Sequence, residues 1–228
     1  MAEREQNAEG KADALYAGIK ADLMAWRITA GSRLSEASLS RRYGISRSPI
    51  REATTRLMGD GLLERTGMVI RVRERTFEEV MDIYRVRVFL EGAIAVDAAS
   101  RRRDMDVMRM RAALESEFGV SRNDSLAVAQ ANNAFHQALA VAAHNLTLID
   151  LQSRLLAQVS VLPSTTLSYP GRWEEAHSEH ERLLQAVEAR DVEVARATAE
   201  LHMSRACEIR LKMFEDEFTE KRERDPEV

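Results

Sequence analysis

The sequence predicts a mainly α protein in two parts: an N-terminal winged helix-turn-helix of three helices and a small β-hairpin, then an all-α bundle of six or seven helices. Three observations lead there. Apolar residues recur at helical spacing through most of the chain. Strand signals are confined to Leu62–Arg65 and Met68–Val72, around Thr66-Gly67. Immediately afterwards Thr76-Phe77-Glu78-Glu79 reads as a capping box, which restarts the chain as helix. The module is placed at residues 11–74 and the bundle at 76–218.

Within the module, Leu15, Ile19, Leu23 and Trp26 mark a first helix over 11–26. Ser35 can cap a second helix that carries Leu39 inward and ends near Tyr43 and Gly44. Ser46 caps a third, with Pro49 in its first turn, where a missing N–H costs little. Ile50, Ala53 and Leu57 form its buried face, and Gly59 and Gly61 close it. The bundle helices are expected at 77–101, 104–118, 124–143, 146–168, 172–189 and 192–218. Asp104, Asn123 and Asp191 are the expected caps, Pro163 a kink or end of the fourth, and Pro170-Gly171 a break. The tail KRERDPEV reads as frayed.

Composition is ordinary, 45% hydrophobic and 31% charged over 228 residues, enough for a sizeable core. No apolar run reaches the ~20 residues of a membrane span, and the charged N-terminus lacks the apolar centre of a secretory signal. Cys207 stands alone, so no intrachain disulfide forms, as suits a reducing cytoplasm. The net charge of −4 hides an asymmetry. Residues 1–75 carry 14 basic and 10 acidic side chains, and Arg27–Arg75 holds eleven arginines against five acids. The remainder is net acidic by eight, so only the first part is suited to phosphates.

Two short helices about a glycine turn followed by a hairpin is the order in which a winged helix-turn-helix presents side chains to the major groove of double-stranded DNA. Arg47 and Arg51 are i and i+4 on the third helix, opposite its apolar face. An arginine fork matches the two acceptors of a guanine edge. Ser46, Ser48 and the first-turn N–H groups suit a phosphate, and Thr55 lies one turn beyond Arg51. Arg65, Thr66 and Gly67 at the wing tip are candidates for the minor groove or the backbone. The bland alternative is a solvated arginine face.

The run GISRSPIREATTRLMGDGLLER resembles the signature of GntR-family transcription regulators, a Gly-Val-Ser-Arg-Thr-Pro-Val-Arg-Glu-Ala pattern, over about residues 12–74. The resemblance implies that Arg47 and Arg51 contact operator bases and that Gly67 approaches the DNA. Ala37 stands where many members carry another arginine, so that contact is not carried over; Arg41 and Arg42 can compensate through phosphates.

All five histidines lie after residue 130, in the acidic part. Asn132 and His136 share a helix face. His180 and His202 lie on consecutive helices at equal distance from Asp191, which levels them in an antiparallel hairpin. Such a set can surround a divalent ion, Zn or Ni by its imidazole ligands. Taken singly, each histidine also fits an ordinary core or surface role. His177 is a substitute ligand or a solvent-facing residue, and His144 is assigned to a helix C-terminus. Leu90, Ile94, Phe135, Leu139, Leu183 and Leu201 are read as core.

NNAFHQAL resembles the Asp-x-x-Phe-His-x-x-Leu motif of the FCD effector domain of FadR-type GntR regulators, and His180 and His202 match its other histidines. That resemblance, over about 77–215, implies a divalent metal on Asn132, His136, His180 and His202, often completed by a small carboxylate. Asn132 replaces the usual aspartate, a weaker and neutral ligand. Arg87 and Glu91 match an Arg-x-x-Leu-Glu pattern. Arg87 either clamps an effector carboxylate or pairs with Glu91 within the helix, and Asn145 either lines the cavity or caps a helix.

The expectation is a cytoplasmic, homodimeric transcription regulator that binds operator DNA and senses a small organic acid, with no catalytic residues. A metal-dependent hydrolase is the alternative from three histidines, although no general base is evident beside them. An architectural DNA-binding protein with a structural metal is the other.

Overall fold

The computed structural model describes the backbone of residues 2–67, 69–162 and 164–224, and the side chains of 10–67, 69–162 and 164–219. The chain forms two compact units, Met1–Arg75 with Ala157–Pro163, and Thr76–Leu156 with Ser164–Val228. The division after residue 75 is where the capping box stands. Residues 157–163 join the first unit because Ala157 and Val161 pack into its apolar core.

In the first unit, α1 (Ala2–Met24) begins before the expected Lys11 and buries Leu15, Ile19 and Leu23. Trp26 lies beyond its end at φ 54°, and its indole N–H donates to the Ser160 carbonyl at 3.0 Å. The second helix, α2 (Glu36–Tyr43), starts on a reciprocal Ser35–Ser38 capping box and ends at Gly44, φ 67°. Helix α3 (Arg47–Gly59) buries Pro49, Ile50, Ala53, Thr54 and Leu57 and packs on α1.

The expected hairpin is the larger part of a three-stranded antiparallel sheet. Strands β2 (Leu63–Thr66) and β3 (Val69–Val72) pair with Thr66 opposite Val69, and Gly67 takes the left-handed φ of 62° that such a tight turn needs. A third strand, β1 (Arg33–Leu34), covers the other edge of β3. At two residues it carries no sequence periodicity. Met68, expected to begin β3, lies outside the described residues.

The second unit opens with α4 (Phe77–Arg101), capped as expected: Thr76 Oγ1 accepts from the Glu79 N–H at 3.3 Å, and Glu79 accepts from the Thr76 N–H at 3.0 Å. Then come α5 (Asp104–Phe118), α6 (Ser125–Ala142), α7 (Leu146–Ser160), a short 3-10 helix (Thr166–Ser168), α8 (Arg172–Ala189) and α9 (Val192–Arg224). Two caps move by one residue. Arg103, not Asp104, is the cap of α5, where Asp106 accepts its backbone N–H, and Asp124, not Asn123, caps α6 through the Ala127 N–H. Asp191 caps α9 as expected, accepting from Val194 N–H.

Helix α7 stops at Ser160 rather than running to 168. A proline ahead supplies no N–H to continue the ladder and disfavours helix in the residue before it. Pro163 itself lies outside the described residues. The tail is helical as far as Arg224, against the expected fraying, and the last four residues lie outside the description.

The core of this unit joins Ile94, Ala98, Met110, Phe135, Leu139, Leu183 and Val187. Leu201, expected in it, is 47% exposed. The buried stripe of α9 runs through Ala195, Ala199, His202, Met203, Ala206 and Ile209, and Leu201 lies off it.

Thr76→Ala removes one side of the capping box, and we expect it to lower the stability of the helical unit by about 1 kcal/mol. Urea unfolding followed by helix signal measures this; an unchanged midpoint would remove the cap from the stability of α4.

Candidate DNA-reading face and metal centre

Helix α3 presents Arg47, Arg51 and Thr55 outward, all exposed, one turn apart and opposite Ile50, Ala53 and Leu57. Ser46 occupies the cap position, but its side chain makes no capping bond; Ser46 and Ser48 are both exposed beside the first turn. Arg65, Thr66 and Gly67 are exposed at the tip of the hairpin.

The arginine fork of Arg51 is already engaged. Its Nε donates to Glu36 Oε1 at 2.8 Å and its Nη2 to Oε2 at 3.3 Å. The hydrogen bond from Arg51, helped by the charges of Arg51, Arg47 and Arg65, holds the Glu36 carboxyl below its ordinary range. One acid thus sits among the three arginines of this face. Glu36 was not singled out in the sequence, where only its place beside the Ser35 cap is visible. The Thr55 hydroxyl donates to the Arg51 carbonyl at 2.7 Å. Arg42, named above as a phosphate contact, is instead tied to Asp22 at 2.7 Å, as are Arg27 and Tyr43. Arg41 remains exposed.

In the helical unit, α6, α8 and α9 bring His136, His180 and His202 together in the interior, 2%, 1% and 4% exposed. One nitrogen from each lies within 4.8 Å of the others. His136 Nε2 and His202 Nε2 are 3.2 Å apart, and His180 Nε2 is buried with no hydrogen-bond partner. Phe135 stacks on the His180 ring at 4.2 Å.

A carboxylate faces the other nitrogen of each ring. Glu91 on α4 lies 3.3 Å from His136 Nδ1, Glu117 on α5 2.9 Å from His180 Nδ1, and Glu179 on α8 2.7 Å from His202 Nδ1. A carboxylate there favours the proton on Nδ1 and a lone pair on Nε2; at His202 the Nη2 of Arg172 also approaches Nδ1, at 3.2 Å. Three such lone pairs turned together match the donor set of Zn²⁺ or Ni²⁺, and the unpartnered His180 Nε2 is the atom such an ion would satisfy. Asn132 stands one turn before His136 on α6, half-buried.

Burial disfavours the charged form of two of the rings. Burial pushes His180 down to about 4 and also drives His202 well below its ordinary range. Burial works to raise Glu91, but His136, Arg87 and the hydrogen bond from Gln152 hold it at about 2. Burial likewise opposes Glu117, and His180 and His177 overcome it; Glu179 is raised, chiefly by burial.

The remaining candidates sort as follows. Arg87 is buried and its Nη2 lies 3.5 Å from Glu91 Oε1, the intrahelical pair, while its Nε has no hydrogen-bond partner. Asn145 is occupied at both ends of its amide, accepting from the Leu148 N–H at 3.3 Å and donating to Asp97 at 2.9 Å, so of its two expected roles it fills that of the cap of α7. His177 is neither ligand nor solvent-facing: its Nδ1 shares Glu117 at 2.7 Å and its ring meets Phe118 edge-on. His144 lies two residues beyond the end of α6 and also pairs with Asp106 at 2.7 Å. Sequence reasoning missed Glu117, Glu179, Gln152 and Arg172. Gln152 donates to Glu91 and to the His136 carbonyl, and Arg172 to the His202 carbonyl. Only Glu179, next to His180, carried a positional hint.

Residues 11–69 match the family model described as bacterial regulatory proteins, gntR family, and residues 82–205 match the FCD domain. The chain belongs to the GntR family. This GntR regulator is 30% identical over 186 residues to the HTH-type transcriptional regulator YdhC of Bacillus subtilis (strain 168), covering 78% of this chain and 81% of that one. It is 31% identical over 196 residues to the Glc operon transcriptional activator of Escherichia coli (strain K12), covering 74% and 76%. The structure of E. coli McbR/YncC superposes with a TM-score of 0.74 at 21% identity, covering 90% and 98%, and so shares the fold.

The protein is a DNA-binding transcription regulator with an FCD domain, not an enzyme. Regulators of this family bind operator DNA and typically act as dimers. Among the described residues no helix is long and apolar enough to cross a membrane.

Two outcomes follow from the clamped imidazoles. Glu117→Gln should weaken Zn²⁺ or Ni²⁺ binding about 10- to 100-fold, read by competition with a chromophoric chelator; unchanged affinity would count against the orienting role. In metal-free protein, a His180 pKa near 4 lies below the unfolded value of 6.5. Above that value both states are neutral; below it the unfolded chain takes the proton first, so stability falls as pH drops from about 6.5 towards 4. Melting temperature against pH checks the sign, and a rise over that window would contradict it.

Proposed function

We propose that this GntR regulator binds its operator as a cytoplasmic homodimer and is controlled by a small carboxylate bound at a metal in the FCD domain. The observation that carries the sensor half is the convergence of three Nε2 atoms whose Nδ1 atoms are each held by a carboxylate. His136, His180 and His202 would hold the ion, with Asn132 one turn before His136 as the fourth ligand. A divalent ion held there supplies a Lewis-acid partner for a carboxylate oxygen.

The chain's own residues do the rest. Glu91, Glu117 and Glu179 orient the rings, and Phe135 keeps water from the His180 face. Arg87, buried and with an unused Nε, offers a charge-assisted contact to the effector. Ligand shifts operator affinity only if it binds one dimer arrangement better than another.

On the DNA side, Arg47 and Arg51 read base edges from α3. Ser46, Ser48 and the first-turn N–H groups hold phosphate, Thr55 extends the face by one turn, and Arg65, Thr66 and Gly67 approach from the wing. Exchange of Glu36 for a guanine edge leaves the Arg51 fork bidentate throughout, which keeps the cost of docking low.

Arg51→Ala should reduce affinity for the operator about tenfold or more while random duplex DNA is affected less. Fluorescence anisotropy at two salt concentrations measures both, and equal losses on operator and random DNA would reduce Arg51 to a phosphate contact. Metal analysis of the purified protein, with a thermal-shift screen of small acids on metal-loaded protein, tests the sensor half. Absence of bound metal after loading would overturn it.

A further inference from the structure

An acid stands where a surface that meets phosphates has least use for one. Glu36 is the first residue of α2, and its carboxylate lies within the field of Arg47, Arg51 and Arg65, the three arginines of the exposed face. It is not there as a helix cap. Ser35 Oγ accepts from the Ser38 N–H and Ser38 Oγ from the Ser35 N–H, both at 3.0 Å, so the start of α2 is capped without it. Both Glu36 oxygens go instead to Arg51, fifteen residues on and in another helix, at 2.8 Å from Nε and 3.3 Å from Nη2.

The placement is set by the fold. Leu39, one turn beyond Glu36, is buried in the same apolar core as Ile50, Ala53 and Leu57 of α3, which fixes the start of α2 beside α3. Arg47 and Arg65 make no ion pair among the described residues. Of three guanidiniums on this face, one is neutralised in place and two are not.

A phosphate and a base edge ask different things of an arginine. Phosphate oxygens are met by charge, anywhere along the backbone, and each neutralised phosphate releases counterions whatever the sequence. A guanine edge offers two acceptors in one plane, a geometry that matches the guanidinium fork. A carboxylate on Arg51 therefore removes most of what random DNA gains from this residue. It takes less from a guanine contact, because the two guanine acceptors match the fork as the carboxylate oxygens do. Repulsion between Glu36 and a nearby phosphate acts in the same direction.

We infer that Glu36 is a specificity-determining residue of the DNA-reading face: it withholds Arg51 from phosphates and yields it to a base edge of matching geometry. The partner it selects is duplex DNA that shows a guanine to Arg51, against duplex of other sequence. This rests on the reading of α3 as the base-reading helix and adds the group that makes that reading selective. The competing role for Glu36 is a brace that fastens α2 to α3.

The probes are a duplex enriched by the wild-type protein from a randomised pool and a scrambled duplex of the same length and composition. Each is titrated by fluorescence anisotropy across a salt series. Glu36→Gln keeps the shape of the side chain and removes its charge. It should raise affinity for the scrambled duplex and steepen the log–log salt slope there by about 0.9, the value of one further phosphate contact. The enriched-to-scrambled affinity ratio should shrink about fivefold or more. Glu36→Asp should restore part of that ratio. Glu52→Gln removes the same charge from the exposed neighbour of Arg51 on α3 and should leave the ratio at its wild-type value.

An unfolded Glu36→Gln protein, or equal losses on both duplexes at an unchanged slope, makes Glu36 a brace and overturns the inference. Unchanged scrambled-duplex affinity and slope overturn it too, as does an equal fall in ratio with Glu52→Gln, which reduces the effect to bulk charge. Failure of the wild-type protein to enrich any duplex sinks the reading of α3 itself. Enrichment with a ratio indifferent to Glu36 sinks this inference alone. The expected result is a gain of affinity for scrambled DNA, which unfolding cannot imitate.

Discussion

The carboxylate–imidazole hydrogen bond is the interaction on which the helical unit turns. Glu91, Glu117 and Glu179 come from α4, α5 and α8, and the rings they hold from α6, α8 and α9, so five helices must be in register for three nitrogens to meet. Each carboxylate favours a proton on the nitrogen it faces and turns the other towards a common point. Lone pairs turned towards one another inside a protein repel, and the apolar packing around them has to hold them there. Phe135 against His180, and the cluster from Ile94 to Val187, supply that packing.

The exposed arginine face of α3 obeys the opposite electrostatics. Arg51 and Glu36 form a two-toothed pair, yet the arginine side chain is 67% exposed, so water and salt weaken it. An exposed pair of this kind costs little to exchange for a base edge, whereas Arg172–Glu179, 1% and 8% exposed, is a fixed part of the architecture. The same residue types are adjustable on one surface and rigid in the other interior because the effective dielectric differs.

Several elements were legible from local signals. The starts of α2 and α4, the break at Pro170-Gly171 and the ends of α5 and α8 were each written by a cap, a proline or a glycine within a few residues. The three converging histidines were also legible, two from their symmetry about Asp191 and all from the motif resemblance. The strand β1 was not: two residues cannot show a period, and Arg33–Leu34 is a strand only because β3 offers it an edge. Leu201 was misplaced because α9 buries a narrow stripe, and a leucine just off that stripe reads the same in sequence.

What the sequence by itself determined is therefore the helical order of the chain, the outward placement of Arg47 and Arg51, and the identity of the imidazoles, since each depends on spacing along one helix or on a turn signal. What only the tertiary structure decided is the partners of Arg51 and of the imidazoles. Glu36 for Arg51, Glu91 for His136, Glu117 for His180 and Glu179 for His202 all come from packing of separate segments or turns. Spacing constrains direction within a helix, but only packing between helices brings a carboxylate to within hydrogen-bonding distance of a ring.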